Sequence, residues 1–367
     1  MELCIIYNFA QKYREGIYKL IDSKYDCHWV FGNNNTDIKG LDEHLLKEVQ
    51  YIENKSLFGP VYYQKGVLPL LKKYDTFIIL GELFCVSTWL MLLFNRMFYR
   101  SKKIYLWSHG WYGREGLAKR ILKKIFFGLA DATFLYGNYA KGIAQSQGYA
   151  KDNLHVIHNS LNYDNQIKIR SFLAETSIYK DYFGNDNPVL IFIGRLTKAK
   201  RLNLLFEALL ILKARGKVYN IILVGNGSEK DALQDLAAKT QLTPNVWFYG
   251  ACYDDTKNAE LIYNADLCVS PGNVGLTAMH SMVFGTPVLT HDDFKWQMPE
   301  FEAIIKNQTG DFFKKDDAGS LASSIECWFE RHQGDRNEIR NHCYKEIDSS
   351  WTPEYQLRII EENIPAV

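Results

Sequence analysis

In the stretch IFIGRLTKAKRLNLLFEAL an apolar run ends at Gly194, and four cations follow at once: Arg195, Lys198, Lys200 and Arg201. Arginine grips two phosphate oxygens in a planar fork, while lysine supplies a mobile point charge. At the carboxyl end of a strand, Arg195 with Lys200 would suit a diphosphate; the same run also suits a solvated basic helix start. A second stretch, SPGNVGLTAMHSMVFGTPVLTHDD, begins at Ser270. Its turn Pro271–Thr277 would set backbone N–H groups of Gly272, Asn273, Val274, Gly275, Leu276 and Thr277 at a helix start, where negative charge is favoured. Gly272 and Gly275 would let a ligand approach the backbone. Gly285, Thr286 and Pro287 would stop that helix. A Gly-rich turn alone is equally well explained by tight packing; its company with a basic cluster is what points to an anion.

Two histidines sit near these features. His109, in WSHGWYGREG, ends an apolar run where it could donate or accept a hydrogen bond, or pack among the neighbouring aromatics. His280 lies on the helix that the second stretch opens. The run VGNGSEKDAL lacks the third glycine of a dinucleotide fingerprint, so it reads as a strand–helix turn with Ser228 as cap. In KRILKKIFF, the segment Lys119–Phe127 interleaves Lys119, Arg120, Lys123 and Lys124 with large apolar residues, a composition that suits either an anionic membrane surface or an ordinary amphipathic surface helix. No H-E-x-x-H, P-loop or G-x-S-x-G occurs, and no Asp-x-Asp would hold a divalent metal on a diphosphate. No metal site and no cofactor are therefore expected.

These residues need rigid elements to position them. The 367 residues allow two domains, and 47% hydrophobic with 23% charged residues is a globular balance. A net charge of +1 gives no global field for nucleic acid, so no nucleic-acid partner is expected. The 7 cysteines show no C-x-x-C spacing, which fits a reducing cytoplasm. The N-terminal stretch does not read as a signal peptide. Leu83–Arg100 is very apolar but interrupted by Asn95 and Arg96, and reads as a buried helix rather than a membrane span.

Runs apolar on both faces recur: LCIIYNF, HWVFGN, TFIILG, KIYLWSHG, ATFLYGN and LHVIHNS, then VLIFIGR, NIILVGNG, VWFYGA, LCVSP and PVLTHDD. Separated by helix-length segments, they predict parallel strands covered on both sides. The expected architecture is α/β with two Rossmann-like βαβ domains, at 1–165 and 187–350, facing an interdomain cleft. A C-terminal helix over about 351–367, capped by Ser350 or Thr352, would cross back to the N-terminal domain.

The order of motifs resembles the GT-B-fold retaining glycosyltransferases of family 4, best from about Ala130 to Trp351. IFIGRLTKAKR is similar to that family's phosphate motif, IILVGNG and VWFYGA follow in the expected order, and MPEFEAIIKNQTGDFF resembles its P-E stretch. The resemblance implies sugar transfer from a nucleotide-diphosphate donor to an acceptor hydroxyl with retained configuration and no metal. The acceptor would be an oligosaccharide or lipid-linked, in bacterial surface polysaccharide or glycolipid synthesis at the inner face of the cell membrane. Arg195 and Lys200 fall on the diphosphate-binding basics, His109 on the histidine that approaches the donor sugar, and Tyr249–Tyr253 where the base is held. Two glutamates of the pattern fall here on Gly272 and His280, which predicts changed donor selectivity. Three other readings stay open: a nicotinamide-dependent oxidoreductase, which should show a full G-x-G-x-x-G with a following acid; a nucleotide-sugar epimerase or hydrolase; and a non-catalytic nucleotide-sugar-binding protein.

Overall fold

The computed structural model describes residues 2–33 and 39–364, in two units: one runs to Tyr163 and resumes at Ser350, the other is Asp164–Ser349. The first unit contains β1 (Glu2–Tyr7), α1 (Glu15–Lys24), β2 (Asp26–Gly32), β3 (Val49–Ile52), β4 (Asn54–Phe58), β5 (Val61–Gln64) and β6 (Thr76–Leu80). It continues with α2 (Val86–Phe98), β7 (Lys103–Ser108), α3 (Leu117–Gly128), β8 (Ala132–Leu135), α4 (Asn138–Ser146) and β9 (Leu154–Val156). Seven strands make a parallel sheet in the order β3-β2-β1-β6-β7-β8-β9, and β4 pairs with β5 as an antiparallel hairpin. Along β1 the side chains alternate between two cores: Leu3, Ile5 and Tyr7 enter one, Cys4 and Ile6 the other. A strand buried on both faces needs that apolar run without polar alternation.

The second unit contains α5 (Tyr163–Arg170), α6 (Ile178–Phe183), β10 (Val189–Ile193), α7 (Leu202–Ala214), β11 (Asn220–Val224), α8 (Lys230–Lys239), β12 (Val246–Gly250) and α9 (Asp255–Asn264). It ends with β13 (Leu267–Ser270), α10 (Leu276–Val283), β14 (Val288–His291), β15 (Gly310–Phe313), α11 (Ala318–Arg331) and α12 (Arg336–Ser350). Its parallel sheet runs β12-β11-β10-β13-β14-β15. In both sheets the first strand lies beside the fourth parallel strand in chain order, the doubly wound order whose switch point holds ligands beyond the strands' carboxyl ends. That point falls between β1 and β6 in one unit and between β10 and β13 in the other.

A last helix, α13 (Pro353–Asn363), packs on the first unit, where Ile360 joins Ile17 and Ile21 of α1 in one core. Thr352 caps it, accepting from Tyr355 N–H at 3.1 Å; the remainder of the expected helix, 365–367, lies outside the described residues. Three local expectations are corrected. Ser228 does not cap α8: Glu229 is the N-cap, and no side chain bonds there. The strands β3–β5 and β15 were not expected, because their short runs are half-exposed and carry no clear period. The Leu83–Arg100 segment forms α2 but is not fully buried: Met91 and Leu92 face the core, while Leu93, Phe94, Met97 and Phe98 are exposed. Among the described residues no helix is long and apolar enough to cross a membrane.

Candidate functional site

At the second unit's switch point, the backbone after β10 is held by the VGNG turn. Leu196 N–H donates to Asn226 O at 2.9 Å, and Glu229 N–H to Leu196 O at 3.0 Å. Gly225 lies so close that a Cβ would sit 1.9 Å from Gly194 O. The glycines of that turn thus serve close backbone packing under the Gly194 loop. The Arg195 side chain leaves this loop exposed, with no hydrogen-bond or ion-pair partner among the described residues. Arg201 turns to Asp316 at 2.9 Å.

Lys200 turns the other way and is half-buried. Its Nζ donates to Asn273 O at 2.7 Å and to Asn273 Oδ1 at 2.9 Å. Desolvation pulls its pKa down to about 8; the nearby charge of Arg195 pushes the same way, and Glu300 opposes it. Lys200 therefore stays cationic at pH 7, with one N–H beyond the two that Asn273 takes.

The loop after β13 is braced from below. Thr290 Oγ1 donates to Ser270 O at 2.8 Å, and Gln297 Nε2 donates to Thr290 Oγ1 at 2.8 Å and to His291 O at 3.0 Å. Gln297 Oε1 accepts from buried Val274 N–H at 2.8 Å. Gly272 N–H donates to Lys200 O at 3.0 Å, and a Cβ at Gly272 would lie 2.0 Å from Ala199 O. The expected row of open amides is thereby corrected: Gly272 and Val274 spend theirs inside the protein. The N–H groups of Asn273, Gly275, Leu276 and Thr277 have no acceptor among the described residues, and no side chain caps α10. Thr277 Oγ1 is committed to Ile193 O at 3.0 Å.

His280 lies one turn into α10, half-buried and without a hydrogen-bond partner among the described residues. Burial lowers its pKa, with Asp255 opposing, so the imidazole is neutral at pH 7. Tyr249 packs edge-on against Trp247 at 5.2 Å. Tyr253 is 93% exposed and does not join the group. Within this unit, then, Gly194, Arg195, Lys200, Asn273 and the start of α10 come together at the switch point. Sequence reasoning missed Thr290, within β14, and Gln297 and Glu300, which stand in WQMPEFE a few residues beyond that strand.

In the first unit, His109 follows β7. Its ring lies 4.7 Å from that of Tyr136, and its Nδ1 is buried without a partner. The Tyr136 hydroxyl accepts from Arg14 Nη2, and Tyr7 OH accepts from Arg14 Nη1 at 3.0 Å. Arg14 is 5% exposed, with the rings of Tyr7, Trp107 and Tyr136 each 5.2 Å away. Desolvation, assisted by the Arg14 charge, takes the His109 pKa down to about 4, so its imidazole is neutral. Arg14 carries no signal in local spacing, because its partners Tyr7 and Tyr136 come to it only through the fold.

The loop after His109 is tied by a buried ion pair. Glu115 accepts from Tyr112 N–H at 2.8 Å, Gly113 N–H at 2.9 Å and Lys123 Nζ at 2.6 Å, and Lys123 Nζ also donates to Gly110 O at 2.5 Å. The segment Lys119–Phe127 is thus two-sided, as an amphipathic helix is. Lys123, Phe126 and Phe127 are buried, leaving Lys119, Arg120, Ile121, Leu122, Lys124 and Ile125 outward.

Residues 175–346 match the family model of glycosyl transferases group 1. A glycosyltransferase of Methanocaldococcus jannaschii is 28% identical over 144 residues, 38% of this chain and 36% of that relative. The chain thus aligns with about a third of the relative's length. Among solved structures, HepE from Anabaena in complex with UDP has a TM-score of 0.71 at 16% identity, covering 99% of both chains. The lipopolysaccharide outer core galactosyltransferase WaaB, in its apo form, also gives 0.71, at 14% identity over 99% of this chain and 100% of that one. At such identities the likeness concerns the fold, which is GT-B.

Proposed function

With the glycosyl transferases group 1 signature over residues 175–346 in a GT-B fold as premise, we propose that this protein transfers a sugar from a nucleotide-diphosphate donor to an acceptor hydroxyl, with the anomeric configuration retained. One observation carries the reading: an Arg195 side chain and α10 amides without partners among the described residues, and a Lys200 with a donor to spare, meet at one switch point. As the sugar–oxygen bond breaks, negative charge grows on the leaving diphosphate. Arg195, Lys200 and the amides of Gly275, Leu276 and Thr277 would stabilise it without reorganising. Attack from the face of departure, with the leaving phosphate taking the acceptor proton, needs neither a carboxylate pair nor a bound metal. Neutral His109 would hydrogen-bond a sugar hydroxyl, and neutral His280 a ribose hydroxyl.

The UDP in the HepE complex makes a uridine nucleotide the first donor to try, and WaaB, a lipopolysaccharide outer core galactosyltransferase, favours a bacterial surface glycan or glycolipid acceptor. The test is turnover of UDP-sugars against an acceptor panel by the parent, Arg195→Ala and Lys200→Ala, with folding checked. Each variant should lose about a hundredfold in rate, or about 3 kcal/mol. Parent-like rates in both would remove the phosphate assignment. A second reading, hydrolysis or binding without transfer, is favoured by Gly272, where no side chain fits. Free sugar released without acceptor, or nucleotide affinity without turnover, would select it.

A further inference from the structure

Helices α2 and α3 run side by side in the same direction over one face of the first sheet. Near their starts Lys119 Nζ lies 5.6 Å over the Phe84 ring; further on, the rings of Trp89 and Phe126 are 4.9 Å apart. At their ends Arg96 donates to Leu129 O at 2.8 Å and to Ala130 O at 3.0 Å. Met91, Leu92, Phe126 and Phe127 point inward to a shared core. Each helix then carries a second apolar row facing away from it. On α2 this row is Leu93, Phe94, Met97 and Phe98; on α3 it is Leu117, Ile121, Leu122 and Ile125. Met97 is 66% exposed, Phe98 64% and Leu117 75%. The helical spacing of 93 with 97, 94 with 98, and 117 with 121 and 125 makes each row a stripe. A helix whose far side faces only water carries polar residues there, and grouped apolar side chains mark an interaction surface.

The charges beside these stripes have one sign. Arg96, Arg100, Lys119, Arg120 and Lys124 are exposed and form no ion pair with the described residues. No Asp or Glu occurs from Leu83 to Arg100 or from Gly116 to Ala130, and the three acids that flank these segments are engaged elsewhere: Glu82 accepts from Tyr62 OH at 2.9 Å, Glu115 pairs with Lys123, and Asp131 accepts from Ile104 N–H at 2.9 Å. With a net charge of only +1 for the whole chain, this concentration is local. A second copy of the chain would bring these cations against their own kind. A bilayer with anionic headgroups meets both requirements: acyl boundary for the apolar stripes, phosphates for the cations.

We propose that the α2–α3 face docks on a bilayer containing anionic lipid, with Leu93, Phe94, Met97 and Phe98 entering beside Ile121 and Ile125. This extends the transfer reading to where the acceptor is met, and rests on that reading for the acceptor alone. The experiment is co-sedimentation of the full chain with vesicles of phosphatidylcholine, with and without phosphatidylglycerol. The parent should pellet with the anionic vesicles and be released by salt. Lys119→Glu with Lys124→Glu, and separately Phe94→Ser with Met97→Ser, should each weaken binding at least about tenfold, since a surface cation or a buried methylene group is worth about 1 kcal/mol. No vesicle binding, or binding indifferent to both pairs, overturns the proposal. A concentration-dependent dimer in sedimentation velocity that Phe94→Ser with Met97→Ser abolishes also overturns it, in favour of self-association. Stabilisation by UDP, followed on the same proteins, separates the two ideas: its loss in the parent sinks donor binding and leaves the vesicle result standing.

Discussion

Lys200 Nζ holds both oxygens of Asn273, the main-chain carbonyl at 2.7 Å and the side-chain carbonyl at 2.9 Å. A lysine from the turn after β10 thereby clamps the loop after β13, and the clamp is itself a cation at the mouth of the switch point. One side chain shapes the loop and charges it.

The pH dependence of nucleotide binding should report this lysine. Its pKa of about 8 in the free protein lies below the ordinary value because burial disfavours the charge. A bound diphosphate favours the charged form, so binding takes up a proton once pH exceeds about 8. Affinity for UDP should be flat from pH 7 to 8 and then fall toward tenfold per unit. Calorimetric titration of the parent and Lys200→Met checks this; the variant should bind weakly with no such fall.

Gly272→Ala would place a methyl 2.0 Å from the Ala199 carbonyl, which belongs to the backbone and cannot swing aside. The loop would have to leave Lys200. Unfolding should show a loss of about 1–3 kcal/mol, as for other overpacked sites, and UDP affinity should fall with it. An unchanged midpoint would mean that the loop relaxes freely.

His280→Ala should weaken UDP binding several-fold, about 1 kcal/mol for a lost hydrogen bond. The same variant should bind thymidine diphosphate, which lacks the 2′-hydroxyl, with less relative loss. Equal affinity of parent and variant for UDP would leave His280 with packing alone.

Lys123→Met should cost about 3–5 kcal/mol, because it strands the Glu115 carboxylate, 2% exposed, without its cation. Burial tends to raise that carboxyl's pKa, but the bonds from Lys123 and Tyr112 hold it down near 2. Adding Glu115→Gln should recover part of the loss. Thermal denaturation of the three proteins measures both effects.

Acid should loosen the first unit before it titrates the carboxylates. Burial takes both His109 and His158 to about 4, below the ordinary 6.5, so the unfolded chain protonates first as pH falls. Stability from this source is complete above pH 6.5 and is lost between 6.5 and 4, at no more than about 1.4 kcal/mol per histidine per unit. The His158 ring lies tilted against that of Trp351 at 4.3 Å, and its carbonyl accepts from Gln356 Nε2 at 2.8 Å, so it reports the seat of α13. Urea midpoints at pH 7 and 5 should converge for His158→Gln relative to the parent.

Much of this was legible in the chain itself. Apolar runs such as VLIFIG and NIILVG can be buried on both faces only as covered parallel strands, and cations placed after such a run must stand at its carboxyl end. The departure at Gly272 was legible too, but its cause was not: Ala199 O reaches that position only once the turn after β10 folds across the turn after β13.

Identity and local period thus determined the strands, the βαβ alternation and the cations beside the Gly-rich loop. Tertiary structure decided which of these groups are free. Lys123 and Lys124 are adjacent in one basic helix, yet one is buried on Glu115 and the other faces outward. Leu92 and Leu93 divide in the same way between core and surface. Hydrogen-bond partners and burial depend on residues brought in from elsewhere in the chain, as Gln297 is to Val274 and Tyr136 to Arg14. Periodicity acts over a few residues, whereas desolvation and pairing are set by whatever the fold packs alongside.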